Sequence, residues 1–570
     1  MTALSSLLVV FVSTVLGADR PPLVESTRGM VVSVSPEASD AGLEMLKAGG
    51  NAVDAAVATA LALAVTFPEA GNIGGGGFMM VWPGAGETTD KPIEPVCVEY
   101  RETCPVALGR NSFVNEKRQE GQHTVGVPGT VRGLALAHEK FGKLQWKQLV
   151  APAIRLAEEG FPIDAALATA LNKMLGPPTS DFPEFRRVYG QPDKSEWKAG
   201  DKLVQPELAR TLKTLADDGP DSFYRGRIAE QIVAEMQAGQ GFLTKDDLAN
   251  YKAILRKPVH TTYHGHDVYA PPPPSAGGTQ LIECLNILEL FDVKSLGPKS
   301  PRFVHLLAES MRRAACDRCR FIGDPDFTPI PAHLSSKDHA KKLAGEIDLA
   351  KATRSESLAP DIALINEPPS TTHFSVADGN GMAVANTYTL QNSYGSRVVV
   401  RGAGFLLNNE MTDFNWQPGV TTRKGQVGTE PNVMASGKRM LSSMCPTLVA
   451  RDGKLLLVTG SPGGRTIPST ALCVVVNVLD FGMSPREAVD APRWHHQWFP
   501  DRLQFERLPD PNYADLLTQL KQQGHSFSDE VQRLGDGYQR QGDAHTILRR
   551  DRVLHGAADW RRTVGKAAGW

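Results

Sequence analysis

The sequence predicts an α+β fold in which β-strands are layered between α-helices, and three observations point there. Short alternating or β-branched runs recur at 29–35, 79–82, 96–100, 371–377, 382–390 and 454–458. Helical periodicity fills much of 130–350, with apolar stripes at 131–141, 146–160, 164–175, 207–215 and 228–238. Glycine and proline clusters separate the two kinds of segment, and strands alternating with helices bury their apolar faces best as stacked layers. Hydrophobic residues make up 41% of the 570 and charged residues 22%, enough for a large core under an ordinary surface. A formal net charge of −2 gives no electrostatic footprint for nucleic acid.

Taken from the N-terminus, Leu4 to Leu16 is uncharged and mostly apolar, followed by Gly17-Ala18 and then Asp19-Arg20. This is the pattern of an export signal at 1–18, lacking only Lys or Arg ahead of the apolar run, and it predicts a periplasmic or secreted protein. No other stretch reaches membrane-spanning length; the Ala-rich run 52–67 is too short and carries Asp54. The strand at 29–35 leads to Pro36, which suits a first helical turn, and Gly49-Gly50 stops that helix. Asn51 caps a second helix running to about Val65. The glycine run between Gly71 and Phe78 lacks the spacing of a phosphate loop, so it predicts backbone packed closely beneath a site.

The strand at 96–100 ends in Tyr100-Arg101-Glu102-Thr103. After the helical region, Pro271 to Gly278 breaks the pattern before a helix at 279–290. The polar, Pro-containing stretch 355–370 predicts an accessible linker. Further on come Asn408-Asn409-Glu410 with Asp413, a long polar loop at 415–438, and Leu441-Ser442-Ser443. The strand at 454–458 and Thr459-Gly460-Ser461-Pro462-Gly463-Gly464 then precede a helix at about 468–479, in strand–turn–helix order.

Residues 369–390 organise the rest. Phe374 and Val376 alternate with Thr371, His373 and Ser375, Gly379-Asn380-Gly381 supplies turn chemistry, and alternation resumes from Met382 to Leu390. A three-residue loop at 379–381, with Gly381 left-handed, pairs Asp378 with Met382 and sets Thr371 opposite Thr389. Opposed residues have Cβ atoms roughly 5 Å apart, within reach of a hydroxyl–hydroxyl hydrogen bond.

Seven cysteines in so long a chain are not a disulfide scaffold. Cys316-Asp317-Arg318-Cys319 has metal-like spacing, but nothing completes a tetrahedral set. Its place in the helical pattern 303–320 favours a chance pair or a local disulfide. His495-His496 lacks a third ligand and reads as structural.

Five blocks in order carry a family resemblance: the helix pair with its glycine run, Tyr100-Arg101-Glu102-Thr103, Thr371-Thr372-His373, Asn408-Asn409-Glu410 with Asp413, and Ser442-Ser443 followed by Gly460 to Gly464. Together they resemble the γ-glutamyltransferases (glutathione hydrolases) of the N-terminal-nucleophile hydrolase superfamily, over nearly the whole mature chain. The resemblance sharpens the fold to a four-layer αββα sandwich. It implies a precursor that cuts itself at Ser370–Thr371 into a large subunit, 19–370, and a small catalytic subunit, 371–570, intertwined as one domain.

Carried over residue by residue, Thr371 supplies the nucleophilic Oγ, and its freed α-amine, with a pKa near roughly 8, acts as the base. Thr389 orients that hydroxyl, and the N–H groups of Gly463 and Gly464 form an oxyanion hole. Arg101, Ser442 and Ser443 hold the substrate α-carboxylate, for which a guanidinium fork is suited. Glu410 and Asp413 hold the α-ammonium, and Gln391 contacts substrate where the family more often has Asn. The reaction implied is γ-glutamyl transfer from glutathione and related amides to water, amino acids or peptides, with neither metal nor organic cofactor. A glutaryl-type (cephalosporin) acylase is the alternative, weakened because such substrates lack the ammonium that Glu410 and Asp413 would meet.

Overall fold

The computed structural model describes residues 20–84, 94–176, 182–193, 195–359, 365–366, 371–422, 425–506, 513–527, 541–563 and 565–570. The expected signal at 1–18 and Ser370 lie outside them. Among the described residues, two seven-stranded antiparallel sheets stack face to face, with helices on their outer faces. The first sheet runs in the order Lys566–Gly569, Gly29–Ser33, Thr372–Asp378, Ala383–Thr389, Gly76–Trp82, Val96–Glu99 and Ile254–Arg256. The second runs Val24–Ser26, Val553–Ala557, Thr546–Arg550, Lys454–Thr459, Thr447–Arg451, His266–Ala270 and Val259–Tyr263. This is the expected four-layer arrangement.

The period-two geometry of a strand divides the first sheet's side chains between two cores. Val31, Val81, Phe374, Val376 and Val384 point to a core shared with one helical layer. Met30, Val32, Phe78, Met80, Ala377, Ala383 and Ala385 point to a core shared with the second sheet. Both faces are dry, which is why the central strands carry few charges.

The first two helices form as their signals predict. Ser35 caps Pro36–Lys47 by accepting from the Ala38 N–H, and Gly49 beyond its end has φ +89°. Asn51 and Asp54 close a capping box on Ala52–Thr66, every residue of which is buried. Asp54 survives burial because its carboxylate also accepts from the Lys143 and Leu144 N–H groups, at 3.0 and 3.2 Å.

One expectation needs correction. The region 130–350 is not only helical: Ile254–Arg256, Val259–Tyr263 and His266–Ala270 are strands. His264-Gly265, at φ 46° and 76°, makes a two-residue hairpin of the kind usually signalled by Asn-Gly. Asp452-Gly453, at φ 51° and 70°, does the same between Thr447–Arg451 and Lys454–Thr459. Of the two alternatives for Cys316 and Cys319, the chance pair holds: both are free, buried thiols.

Candidate active site

The hairpin forms in the expected register. Thr372 faces Tyr388 and Ala377 faces Ala383, so Thr371, one residue earlier, falls opposite Thr389. Gly381 has φ +91°, and the Asp378 N–H donates to the Met382 carbonyl at 2.9 Å. Both threonines are buried and line one cavity of about 270 Å³. Arg101, Gln391, Asp413, Ser442, Ser443 and Gly464 line it as well. Gly463 and Glu410 do not.

Close backbone approach explains the glycine run. A Cβ on Gly75 would lie 2.0 Å from the Thr389 carbonyl oxygen, and one on Gly77 2.5 Å from that of Thr387. Asn72 fastens the same place: its Nδ2 donates to the Thr389 carbonyl at 3.0 Å, while its Oδ1 accepts from the Gly75 N–H at 2.9 Å. Thr389 Oγ1 in turn accepts from the Gln391 N–H at 2.8 Å. Gln391 itself sits at φ +83°, a turn that brings its side chain back over the cavity.

His373, the third residue of the Thr-Thr-His block, faces away from this cavity. The Ser375 hydroxyl donates to the His545 carbonyl at 2.8 Å, so it accepts from His373 Nε2–H at 3.1 Å. His373 Nδ1 is then left to accept from the Thr387 hydroxyl at 2.8 Å. Burial holds its pKa well below the ordinary imidazole value. The ring is a neutral pin between the two sheets, with Gly460 pressed against it.

Arg101 is fully buried, and its guanidinium is already committed. Nη1 lies 2.6 Å from Glu410 Oε2 and 3.4 Å from Glu102 Oε2, and Nη2 lies 2.5 Å from Asp413 Oδ2. Nε and Nη2 also donate to the Met440 and Leu441 carbonyls, each at 3.2 Å. Three carboxylates thus surround one cation. Burial, resisted by Arg101, pushes the Glu102 carboxyl up to about 8, and burial likewise raises Glu410. Arg101 is raised as well, because the attraction of Glu410 and Asp413 outweighs its own desolvation, and for a base this favours the charged form. Glu410 therefore stands behind Arg101, while Asp413 reaches the cavity and accepts from Gln391 Nε2 at 2.6 Å.

The opposite wall is built on the second sheet and its helices. Ser442 Oγ accepts from the Met444 N–H at 3.1 Å, and Ser443 Oγ accepts from Arg318 Nη2 at 3.3 Å. Gly463 at φ +127° and Gly464 at φ +56° turn the chain from Lys454–Thr459 into Ile467–Leu479. Four wall or rim residues carried no sequence signal. Arg318 lies inside the segment that drew notice for its cysteines, Arg465 follows the glycine pair, and Trp416 follows the acidic turn. Arg562 comes from the far C-terminus to donate to the Thr371 carbonyl at 3.2 Å. Only folding brings it there.

Comparison with known proteins adds the family. A family model described as Gamma-glutamyltranspeptidase matches residues 38–570. The chain is 42% identical over 556 residues to a glutathione hydrolase proenzyme of Escherichia coli, covering 96% of this chain and 93% of that protein. The solved structure of a cephalosporin acylase from Bacillus halodurans is similar with a TM-score of 0.81 and 28% identity, over 97% of this chain and 98% of that one. A γ-glutamyltranspeptidase chain from Helicobacter pylori gives 0.53 at 37% identity, covering 56% of this chain and 92% of that one. The family match takes in every strand of both sheets except Val24–Ser26 and Gly29–Ser33, together with every residue on the cavity wall, and the chain belongs to the γ-glutamyltranspeptidase family.

Proposed function

We propose that the chain cuts its own Ser370–Thr371 bond and then acts as a γ-glutamyltransferase and glutathione hydrolase. The observation that carries this reading is the hairpin register, which brings Thr371 opposite Thr389 on the wall of a cavity that also holds Arg101 and Asp413. Thr371 Oγ attacks the γ-carbonyl carbon of the substrate, and its proton passes to the Thr371 α-amine, which exists only after the cut. The N–H groups of Gly463 and Gly464 stabilise the oxyanion, the leaving amine takes the proton, and a γ-glutamyl ester of Thr371 remains. Water, or the amine of an amino acid or peptide, then attacks the ester and frees Thr371. No metal or organic cofactor enters these steps.

Arg101 with Ser442 and Ser443 would receive the α-carboxylate, and Asp413 with the Gln391 carbonyl oxygen the α-ammonium. Glu410 then acts from behind, holding Arg101 at 2.6 Å. The segment 415–438, whose Trp416, Val427 and Thr429 line the cavity, would serve as a lid over the glutamyl group. The N-terminal pattern directs the protein out of the cytoplasm.

Intact masses under denaturing conditions test this. Two chains, the smaller beginning at Thr371, are expected, with one uncut chain for Thr371→Ala. A single chain in the unsubstituted protein after prolonged incubation would overturn it. The similarity to a cephalosporin acylase supports a second reading, a glutaryl-type acylase on the same fold. Rates on γ-glutamyl-p-nitroanilide and glutaryl-p-nitroanilide separate the two, and the first substrate is expected to be strongly preferred.

A further inference from the structure

Away from the cavity, three helices of the second layer bring together an unusual donor set. Glu283 on Ala276–Leu288, Asp317 on Pro301–Phe321 and His339 on Lys337–Gly345 each place one ligand-type atom within 4.8 Å of the other two. Glu283 is 1% exposed, and its Oε1 has no hydrogen-bond partner. Among the described residues no ion pair reaches it. A buried carboxylate in that state is costly unless a proton or a cation neutralises it. Burial first, and the Asp317 charge second, hold Glu283 well above the ordinary carboxyl range.

Nearby cations do not fill the role. Arg313 Nη1 is 2.5 Å from Glu309 Oε2, and Arg320 Nη1 donates to the Leu358 carbonyl at 3.4 Å. His339 Nε2 meets Asp317 Oδ2 at 2.7 Å, so two of the three donors already face each other. Asp317 and His339 line a cavity of about 720 Å³, which gives an ion a way in and leaves room for water as a further ligand.

We propose that Glu283, Asp317 and His339 bind one divalent transition-metal ion of the zinc or manganese class. Two carboxylates and an imidazole suit these ions, whereas calcium prefers oxygen alone. Ligand bonds of about 2.0–2.2 Å hold neighbouring donors no more than about 4.4 Å apart, so closure takes side-chain shifts of under about an ångström. The ion clips three helices, one of which carries Arg318 to the active-site wall. Its role is structural, and it takes no part in acyl transfer.

A second cluster, His305, Glu309 and His525, supplies the control. Its Glu309 is already neutralised by Arg313 at 2.5 Å and Arg312 at 3.5 Å, so it should hold no ion. The test equilibrates untagged full-length protein with micromolar Zn²⁺ or Mn²⁺, removes free ion by gel filtration, and measures bound metal by elemental mass spectrometry. One equivalent per chain is expected, falling below about a tenth in Asp317→Asn and in His339→Gln, and unchanged in His525→Gln. EDTA should lower the melting temperature of the parent but not of the two ligand variants. Should Glu283→Gln fail to fold, the two half-buried positions still decide the matter. Failure of the parent to retain metal, or equal retention in Asp317→Asn and His339→Gln, would overturn the site. Neither readout depends on autocleavage or γ-glutamyl chemistry.

Discussion

Gln391 Nε2 donates to Asp413 Oδ1 at 2.6 Å, so the residue leaving the hairpin grips the same carboxylate that holds Arg101. Gln391→Asn withdraws the amide by one methylene and opens this bond. One charge-assisted hydrogen bond lost at a partly solvated carboxylate corresponds to about 1–1.5 kcal/mol, or about 5- to 10-fold. The expected result is a KM for γ-glutamyl-p-nitroanilide higher by that factor, with kcat within about twofold. Initial-rate kinetics on the processed enzyme checks it.

Thr389 Oγ1 is fixed by the Gln391 N–H at 2.8 Å, which aims the rest of the hydroxyl. Thr389→Ala should lower kcat by about 10- to 100-fold, the range of a lost positioning contact at a nucleophile. Thr389→Ser keeps the oxygen and should stay within about fivefold. Equal losses in both variants would place the effect in strand packing instead.

Removing Arg101 takes the guanidinium away from Asp413 and from the fully buried Glu410, which it meets at 2.5 and 2.6 Å. Breaking a buried ion pair from one side costs about 3–5 kcal/mol, so Arg101→Met should lower unfolding stability by about that much. Urea titration followed by circular dichroism, in an uncut Thr371→Ala background, reads this without the complication of two chains. Arg101→Lys keeps the charge but loses the fork, and should fall between the two.

The same cluster makes stability depend on pH. Glu102 is raised from an ordinary 4.5 to about 8, so the folded chain keeps a proton that the unfolded chain has released. Folded protein then binds more protons across that window, and stability falls as pH rises from about 4.5 to about 8. The slope is at most about 1.4 kcal/mol per pH unit for one proton. Glu102→Gln should flatten it, leaving the part due to Glu410, which has the same sign.

Gly75→Ala tests the packing beneath Thr389. The added methyl would meet the Thr389 carbonyl at 2.0 Å, a backbone atom with nowhere to go. Overpacking of this kind costs about 1–3 kcal/mol, and displacement of Thr389 should slow autocleavage more than it unfolds the protein. A time course of uncut and cut chains on a denaturing gel distinguishes the two.

Local chemistry made much of this legible. Pro36, Asn51 and Gly381 act within a few residues of themselves, and the Thr371–Thr389 pairing follows from counting outward from one turn. The strands at Val259–Tyr263 and His266–Ala270 were hidden because His264-Gly265 is a weak turn signal beside Asn-Gly, and because helices surround them. Glu410 illustrates a different limit. The family resemblance gives it and Asp413 one shared role, but packing puts one behind Arg101 and the other on the cavity wall. Arg318 and Arg562 reach the site from a helix and a terminus far away in sequence, and no spacing rule connects them to Thr371.

Gly29–Ser33 lies between Thr372–Asp378 on one side and Lys566–Gly569 on the other. Both ends of the segment after Ser370 therefore clasp one strand of the segment before it. Hydrolysis at that point severs connectivity without freeing a body, since separation means stripping these two ladders, those that pair Ala383–Thr389 with Gly76–Trp82, Thr447–Arg451 with His266–Ala270 and Val553–Ala557 with Val24–Ser26, and opening the dry interface between the sheets. The barrier to dissociation is then the barrier to global unfolding, and dilution should not drive it. A nicked chain of this topology behaves as a mechanical interlock: it lasts as long as the fold does.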